Sequence, residues 1–160
     1  MEISKLNNNI TPSGTMAISN KARILKEQGK PVIGFGAGEP DFPTPSHVIE
    51  EVKIASENPA YHKYTAVGGL PILRDEISRT TKKYSNFEID PDNVVVTNGG
   101  KQAILTTFMS LLDPGDEVLI PSPYWTTYPE AVKISGGDPV VVDTDFENDF
   151  KVTVEQLEEK

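Results

Sequence analysis

The sequence predicts an α/β protein built on a parallel sheet. Three short apolar runs of β type begin at residues 94, 117 and 140, so consecutive runs start 23 residues apart. Each interval also contains apolar residues at helical spacing. Near-continuous apolar strands that alternate with helices are typical of parallel pairing, with both sheet faces covered by helices. We therefore expect a β-α-β-α-β core, and three evident strands indicate the front part of a larger fold.

Residues 1–45 are predicted to form an arm and a shaped loop that precede the main domain of residues 46–160. In the arm, residues 16–28 have helical periodicity and end at Gly29, a common helix stop. The loop at residues 36–42 resembles a dinucleotide-binding motif only in its glycines, because no helix opens directly after them. Its glycines permit close approach of the backbone to a ligand, and the Gly38 N–H is expected to serve a carboxylate.

The main domain is predicted to alternate helices and strands along its length. We expect Ser46 or Thr44 to cap its first helix, and Thr153 with Gln156 to form a capping box at its last. The predicted helices cover residues 45–56, 70–84, 101–112 and about 126–135, and the predicted strands cover residues 94–96, 117–120 and 140–142.

Composition excludes several classes of function. The net charge is −9, from 15 basic and 24 acidic residues, and an acidic surface repels nucleic-acid phosphates and anionic membranes. The chain has no Cys, so disulfides, thiolate metal clusters and cysteine nucleophiles are excluded, and His47 and His62 lack the spacing of a metal site. No apolar stretch is long enough for a secretory signal or a membrane span. We expect a cytoplasmic protein without metal, nucleic-acid or membrane partners.

A candidate phosphate site lies at residues 97–102, between a predicted strand and a predicted helix. Ligands of open α/β sheets bind at the carboxyl ends of strands, and a glycine-rich helix N-terminus presents backbone N–H groups to an anion. The spacing of a Walker A loop is absent, so nucleotide hydrolysis is not supported. Taken alone, Gly99-Gly100 also fits a purely structural turn.

A second candidate lies at residues 121–128, which leave the next strand at the same edge of the sheet. Two prolines stiffen this loop, and Trp125 is the only Trp of the chain. Its ring is expected to stack on a planar ligand beside the phosphate site, or else to close the top of the core.

Five blocks of sequence together resemble a known family. They are GAGEPDF at residues 36–42, KYTAVGGLPILR at 63–74, VVVTNGGKQAI at 94–104, DPGDEVLIPSPYWTTYPE at 113–130 and SGGDPVVV at 135–142. Their order and separations are similar to the N-terminal part of class I, fold-type I aminotransferases that use pyridoxal 5'-phosphate, especially the aspartate aminotransferase group. The resemblance runs from about Thr15 to Lys160. It implies that residues 46–160 begin the cofactor-binding large domain, and that the N-terminal helical arm belongs to the small domain.

The resemblance also implies roles for individual residues. Gly100, Lys101 and Gln102 match the turn that holds the cofactor phosphate, and Trp125 matches the aromatic side chain that stacks on the pyridine ring. These roles agree with the two candidates drawn from the residues themselves.

Two further residues receive a role from the resemblance. Gly38 matches the glycine whose N–H binds the substrate α-carboxylate. Tyr64 matches the tyrosine that reaches the cofactor phosphate of a partner subunit, which implies a homodimer.

No catalytic residue is assigned within this chain. In the family, the Schiff-base lysine, the carboxylate on the pyridine nitrogen and the substrate-clamping arginine follow well after these blocks, and Lys101 lies in the wrong context to be that lysine. The 160 residues alone are therefore expected to be inactive. The complete protein is expected to move an amino group between an amino acid, aspartate in the first instance, and a 2-oxo acid by ping-pong chemistry. The alternatives are a non-catalytic remnant that binds a phosphorylated ligand or a partner, and a lyase or synthase on the same scaffold.

Overall fold

The structure is a computed structural model, and it describes residues 4–160. Helices and strands alternate through the second half, as the sequence predicts. The helices are α1 Gly14–Glu27, α2 Ser46–Ser56, α3 Pro71–Ser85, α4 Gly100–Leu111, α5 Thr127–Ile134 and α6 Val154–Glu158, and the strands are β1 Glu117–Pro121 and β2 Asp138–Val142. Short 3-10 helices cover Lys5–Asn9, Pro59–His62 and Pro91–Asn93. No helix within the described range is long and apolar enough to cross a bilayer.

The two strands pair in parallel, with Leu119 opposite Val140 in the register. Helix α5 connects them, so residues 117–142 form a βαβ unit. Its helix packs on the sheet, and the most deeply buried side chains lie there: Val132 is 0% exposed and Val142 is 1% exposed. Apolar burial on this scale drives the folding of the unit. The predicted α/β class and parallel pairing are confirmed.

The third predicted strand, residues 94–96, does not join the sheet, and this prediction is wrong. Val94 is extended and buried, as an apolar run predicts. The backbone hydrogen bonds shown for this run join the Val94 N–H to the Pro91 carbonyl at 3.1 Å and the Val96 N–H to the Gly68 carbonyl at 2.9 Å. Hydrophobicity predicts burial, but a strand also needs a partner backbone in register, and the pattern of a single run does not reveal one.

The caps at the helix ends agree in part with those predicted from the sequence. Thr153 and Gln156 form the predicted capping box of α6. Neither Thr44 nor Ser46 caps α2: its N-cap residue is Pro45, and the structure shows no side-chain hydrogen bond at that end within the described residues. The ring of Pro45 fixes its φ angle, so the backbone at the N-cap position is held in place although no side chain caps the helix. At α1 the cap is Ser13, whose side chain accepts the Met16 N–H.

The chain divides into two compact units. Unit 1 combines the segment up to Gly38 with Gly99–Lys160, and unit 2 is Glu39–Asn98. In unit 2, Arg74 of α3 donates to the Pro91 carbonyl from Nε at 2.8 Å and from Nη2 at 2.6 Å, and it pairs with Asp92. These two hydrogen bonds, the fork of Arg74, attach α3 to the 3-10 turn before residue 94. The division into domains at residues 45 and 46 stays a prediction.

Candidate functional site

The N-terminus of α4 forms the first part of the candidate site. Gly99 is its N-cap residue with φ +83°, and the structure shows no side-chain cap there among the residues it describes. A Cβ added at Gly99 or Gly100 would meet nothing within 4 Å, so open space surrounds the turn. The positive end of the helix dipole lies at this turn. The turn can therefore admit an anionic group.

Lys101 and Trp125 come together next to this turn. The Lys101 Nζ lies 5.6 Å from the centroid of the Trp125 ring. Trp125 is 44% exposed, so it does not close the core, and its ring packs edge-on against Tyr128 with centroids 5.8 Å apart. A cation and a half-exposed indole at one helix N-terminus suit a ligand that carries both an anion and a flat ring.

A groove of about 860 Å³ in unit 1 includes both side chains in its lining. Lys101 and Leu105 line it from α4, and Trp125 lines it from the loop after β1. The N-terminal segment, residues 10–16, forms another wall. The volume falls in the range of small-molecule sites, about 300 to 1,000 Å³.

The N-terminal segment is bonded to α5, and sequence reasoning missed this contact. The Thr11 N–H donates to Glu130 Oε2 at 2.9 Å, and Lys133 Nζ lies 3.1 Å from Glu130 Oε1. Burial raises the pKa of Glu130, but the hydrogen bonds from Thr11 and the Lys133 ammonium outweigh it, so the pKa lies below its ordinary value. The spacing of Glu130 and Lys133 signals a helical ion pair, whereas nothing in the sequence signals Thr11, 119 positions away.

The other predicted site residues lie elsewhere. Gln102 is exposed in the first turn of α4. Gly38 is exposed and is not among the residues that line the groove. Tyr64 belongs to unit 2, where its side chain is fully exposed. The structure thus brings Lys101 and Trp125 together, and the roles of Gly38 and Tyr64 stay predictions.

Comparison with known proteins gives the family. A family model described as aminotransferase class I and II matches residues 30–160. The chain belongs to this family. It is 54% identical to an aspartate aminotransferase of Streptomyces avermitilis, over 93% of the chain and 36% of that relative. It is 51% identical to a probable aspartate aminotransferase of Streptomyces griseus, over 93% of the chain and 70% of that relative.

Solved structures of family members show the same fold. The aspartate aminotransferase from Thermus thermophilus with maleate has a TM-score of 0.91 and 38% identity, and the match covers 99% of this chain and 41% of that one. The aspartate aminotransferase from Rhizobium meliloti has a TM-score of 0.92 over 99% of this chain and 40% of that one. The chain thus spans about two fifths of these structures, which confirms the predicted resemblance and the incomplete large-domain fold.

In this chain, the glycines of residues 36–42 are used partly for internal packing. A Cβ on Gly36 would lie 2.9 Å from Ser19 Oγ and 3.1 Å from Ile18 Cγ2 on α1. The close backbone approach that the sequence predicts for a ligand is therefore made, at Gly36, to the chain's own helix. A Cβ on Gly38 would meet nothing within 4 Å, so that position leaves space for a ligand.

His47 and His62 are both exposed. The His62 Nε2 lies 2.9 Å from the Ser56 carbonyl, a local contact at the end of α2. Among residues 4–160 no group of three or more His, Asp or Glu side chains has the arrangement of a metal site.

Proposed function

We propose that the protein containing this chain is an aminotransferase that moves an amino group between an amino acid and a 2-oxo acid, with pyridoxal 5'-phosphate as its cofactor. The observation that carries the proposal is the approach of the Lys101 ammonium to the Trp125 ring, beside the open N-terminus of α4. Family membership supports the same reading. The aspartate aminotransferases among the relatives favour aspartate as the donor.

The residues present fit the cofactor. Its phosphate needs a helix N-terminus and a nearby cation, which the turn at Gly100, Lys101 and Gln102 provides at the start of α4. Its pyridine ring needs a flat apolar surface, which the half-exposed Trp125 offers. When bound, pyridoxal 5'-phosphate supplies the electron sink for amino-group transfer.

The residues of this chain bind and orient the cofactor and the substrate. Lys101 neutralises charge at the phosphate, and Trp125 fixes the plane of the ring and keeps water from one face. Gly38 holds the substrate α-carboxylate through its N–H. Tyr64 contacts the cofactor phosphate bound by the partner subunit, so the active protein is a homodimer. The proposed location of this homodimer is the cytoplasm.

The substrate is a small amino acid, and a dicarboxylic one is favoured. The Thermus thermophilus structure was solved with maleate, a four-carbon dicarboxylate. Purified protein is expected to convert aspartate and 2-oxoglutarate to oxaloacetate and glutamate. Release of ammonia from aspartate, or of a thiol from a sulfur-containing amino acid tested beside it, would instead indicate a lyase. No turnover despite tight cofactor binding would indicate a non-catalytic remnant.

Trp125 gives the direct test of the site. Trp125→Ala is expected to raise the cofactor dissociation constant about two- to tenfold without unfolding the protein, since aromatic stacking contributes about 0.5–1.5 kcal/mol. Absorbance titration measures the binding, and Trp125→Phe is the matched control because it retains a stacking ring. An unchanged cofactor affinity in the Ala variant would refute this role.

We assign the Schiff-base lysine to no residue of this chain. Lys101 has its ammonium at the phosphate end of the site, next to the Trp125 ring. Borohydride reduction of the loaded protein, followed by peptide mapping, locates the lysine that carries the cofactor. Label on Lys101 would overturn this assignment, and transamination by the isolated 160-residue segment would do the same.

A further inference from the structure

The N-terminal segment, residues 10–16, is held by bonds of two kinds. Locally, the Ile10 N–H donates to the Asn7 carbonyl, and Ser13 caps α1 through the Met16 N–H. Between these two local structures, the Thr11 N–H donates to the carboxylate of Glu130 on α5. Both residues line the groove. The local bonds shape the segment, the 3-10 helix Lys5–Asn9 before it packs on α5, and the Thr11 bond attaches the segment itself to that helix.

Glu130 is well placed for such an attachment. Its side chain is 20% exposed, which makes it the least exposed of the ion-paired carboxylates in the part of the chain that the structure describes. One carboxylate oxygen accepts from Thr11 and the other pairs with Lys133, so each oxygen has a separate partner. A hydrogen bond from a backbone N–H to an ionised, partly desolvated carboxylate is stronger than one between neutral groups.

The attached segment is also a wall of the candidate site. Residues 10–16 line the same groove as Lys101 and Trp125, and Glu130 lines it as well. The position of the segment therefore sets the width of the space next to the indole ring. A ligand that enters this space meets a surface that the Glu130 carboxylate helps to hold in place.

We propose that Glu130 is a positioning residue, which fixes the N-terminal segment as a wall of the ligand groove by accepting the Thr11 N–H. The inference rests on the proposed function for its effect on substrate, but the attachment itself does not depend on any ligand. Loss of Glu130 releases the segment and widens the groove beside Trp125. The substrate amino acid is then bound less tightly, while the groups at the phosphate turn stay in place.

Thr11 permits a test that leaves Glu130 untouched. Thr11→Pro removes the donor N–H together with the hydroxyl, and the preceding Ile10 already has the extended backbone, φ −89° and ψ 126°, that a residue before proline adopts. Thr11→Ala is the matched control, because it removes the hydroxyl and keeps the N–H. Glu130→Ala removes the acceptor, and Glu130→Gln restores a neutral acceptor of the same shape.

The first readout is hydrogen–deuterium exchange of the peptide that contains residues 10–16, in the full-length protein without cofactor. We expect exchange to become about tenfold faster in Glu130→Ala and Thr11→Pro, with Glu130→Gln in between and Thr11→Ala less affected than Thr11→Pro, because it keeps the N–H and loses only the hydroxyl contact to Glu130. Glu76→Ala removes an exposed ion-paired carboxylate of α3 and serves as the control without effect. Unchanged exchange in both Glu130→Ala and Thr11→Pro overturns the proposal, and if the first variant fails to fold, the second decides.

The second readout separates positioning from a structural role. In the loaded protein we expect Glu130→Ala to raise KM for the amino acid about fivefold with kcat within twofold, and Glu130→Gln to recover most of the loss. Equal loss of kcat and kcat/KM, or no rescue by Gln, contradicts the positioning role. If exchange accelerates as expected but wild-type protein neither binds cofactor nor turns over, the attachment stands and the proposed function fails.

Discussion

Two runs of three valines lie in different environments in this chain. Residues 140–142 belong to β2, pair with β1 along the whole register, and end in Val142, which is 1% exposed. Residues 94–96 have a buried Val94 but a Val95 that is 66% exposed, and they lie outside the sheet. The same tripeptide thus forms a strand in one unit and an irregular extended segment in the other.

The difference lies in what surrounds each run. The second run follows a helix that returns the chain beside β1, so a βαβ crossover supplies both the partner strand and the cover of α5. The first run follows a 3-10 turn and is held by the Val96 bond to Gly68 and by the fork of Arg74 on the preceding turn. Local side-chain preference is equal in the two places, and only tertiary pairing distinguishes them.

Substitution of the buried valine is expected to have the largest effect. Val142→Ala removes two methyl groups at a fully packed position and should lower the free energy of unfolding by about 2–3 kcal/mol. Val95→Ala, in the unpaired run, should change it by less than about 0.5 kcal/mol. Urea unfolding of the two variants measures the contrast. Equal losses of unfolding free energy in the two variants would mean that both valine runs are packed alike in solution, and the contrast between them would not hold.

Gly69 tests what holds the unpaired run. It has φ +104°, and a Cβ there would lie 2.6 Å from Val96 Cγ2. Gly69→Ala should therefore destabilise unit 2 by about 2 kcal/mol, from backbone strain and from displacement of Val96. Gly68→Ala is the control, because its Cβ would make only ordinary contacts at 3.8 Å or more. Proteolysis within residues 39–98 provides the measurement, and similar behaviour of both variants would contradict the packing shown.

Arg74 is expected to contribute less than Gly69. Arg74→Lys keeps the charge but loses the two-pronged bond to the Pro91 carbonyl, at a cost of about 1.5 kcal/mol in unfolding free energy. The matched control is Arg79→Lys on the same helix, where the arginine pairs with Glu76 in full solvent. That control should leave the unfolding midpoint unchanged. If lysine substitutes equally well at both positions, the fork does not hold the turn before Val94.

The sequence is informative where the signal is local. Helical periodicity, the Gly29 stop and the Thr153 capping box each depend on residues within a turn or two, and all are present in the structure. The turn at residues 99–101 is likewise marked by its glycines before α4, and Trp125 by its position after β1. The structure brings Lys101 and Trp125 together.

The features that the sequence does not predict depend on distant partners. The absence of residues 94–96 from the sheet follows from pairing geometry, and the Glu130 contact joins positions 119 residues apart. The closeness of Gly36 to Ser19 depends on how a loop folds back on α1. In each case the residue type allows the contact, but only the tertiary arrangement selects it.

The smallest effect is expected at the end of the paired strands. Beyond Val142, the Thr144 hydroxyl donates to the Ser122 carbonyl, and the Ser122 N–H donates to the Val142 carbonyl at 2.9 Å. Thr144→Val deletes the hydroxyl at nearly constant volume and should cost about 1 kcal/mol, because the Ser122 carbonyl then loses its donor. Thr144→Ser keeps the bond and should recover most of the loss in urea unfolding. Failure of serine to recover it would show that packing of the threonine methyl, and not the hydrogen bond, extends the pairing of β1 and β2 past their ends.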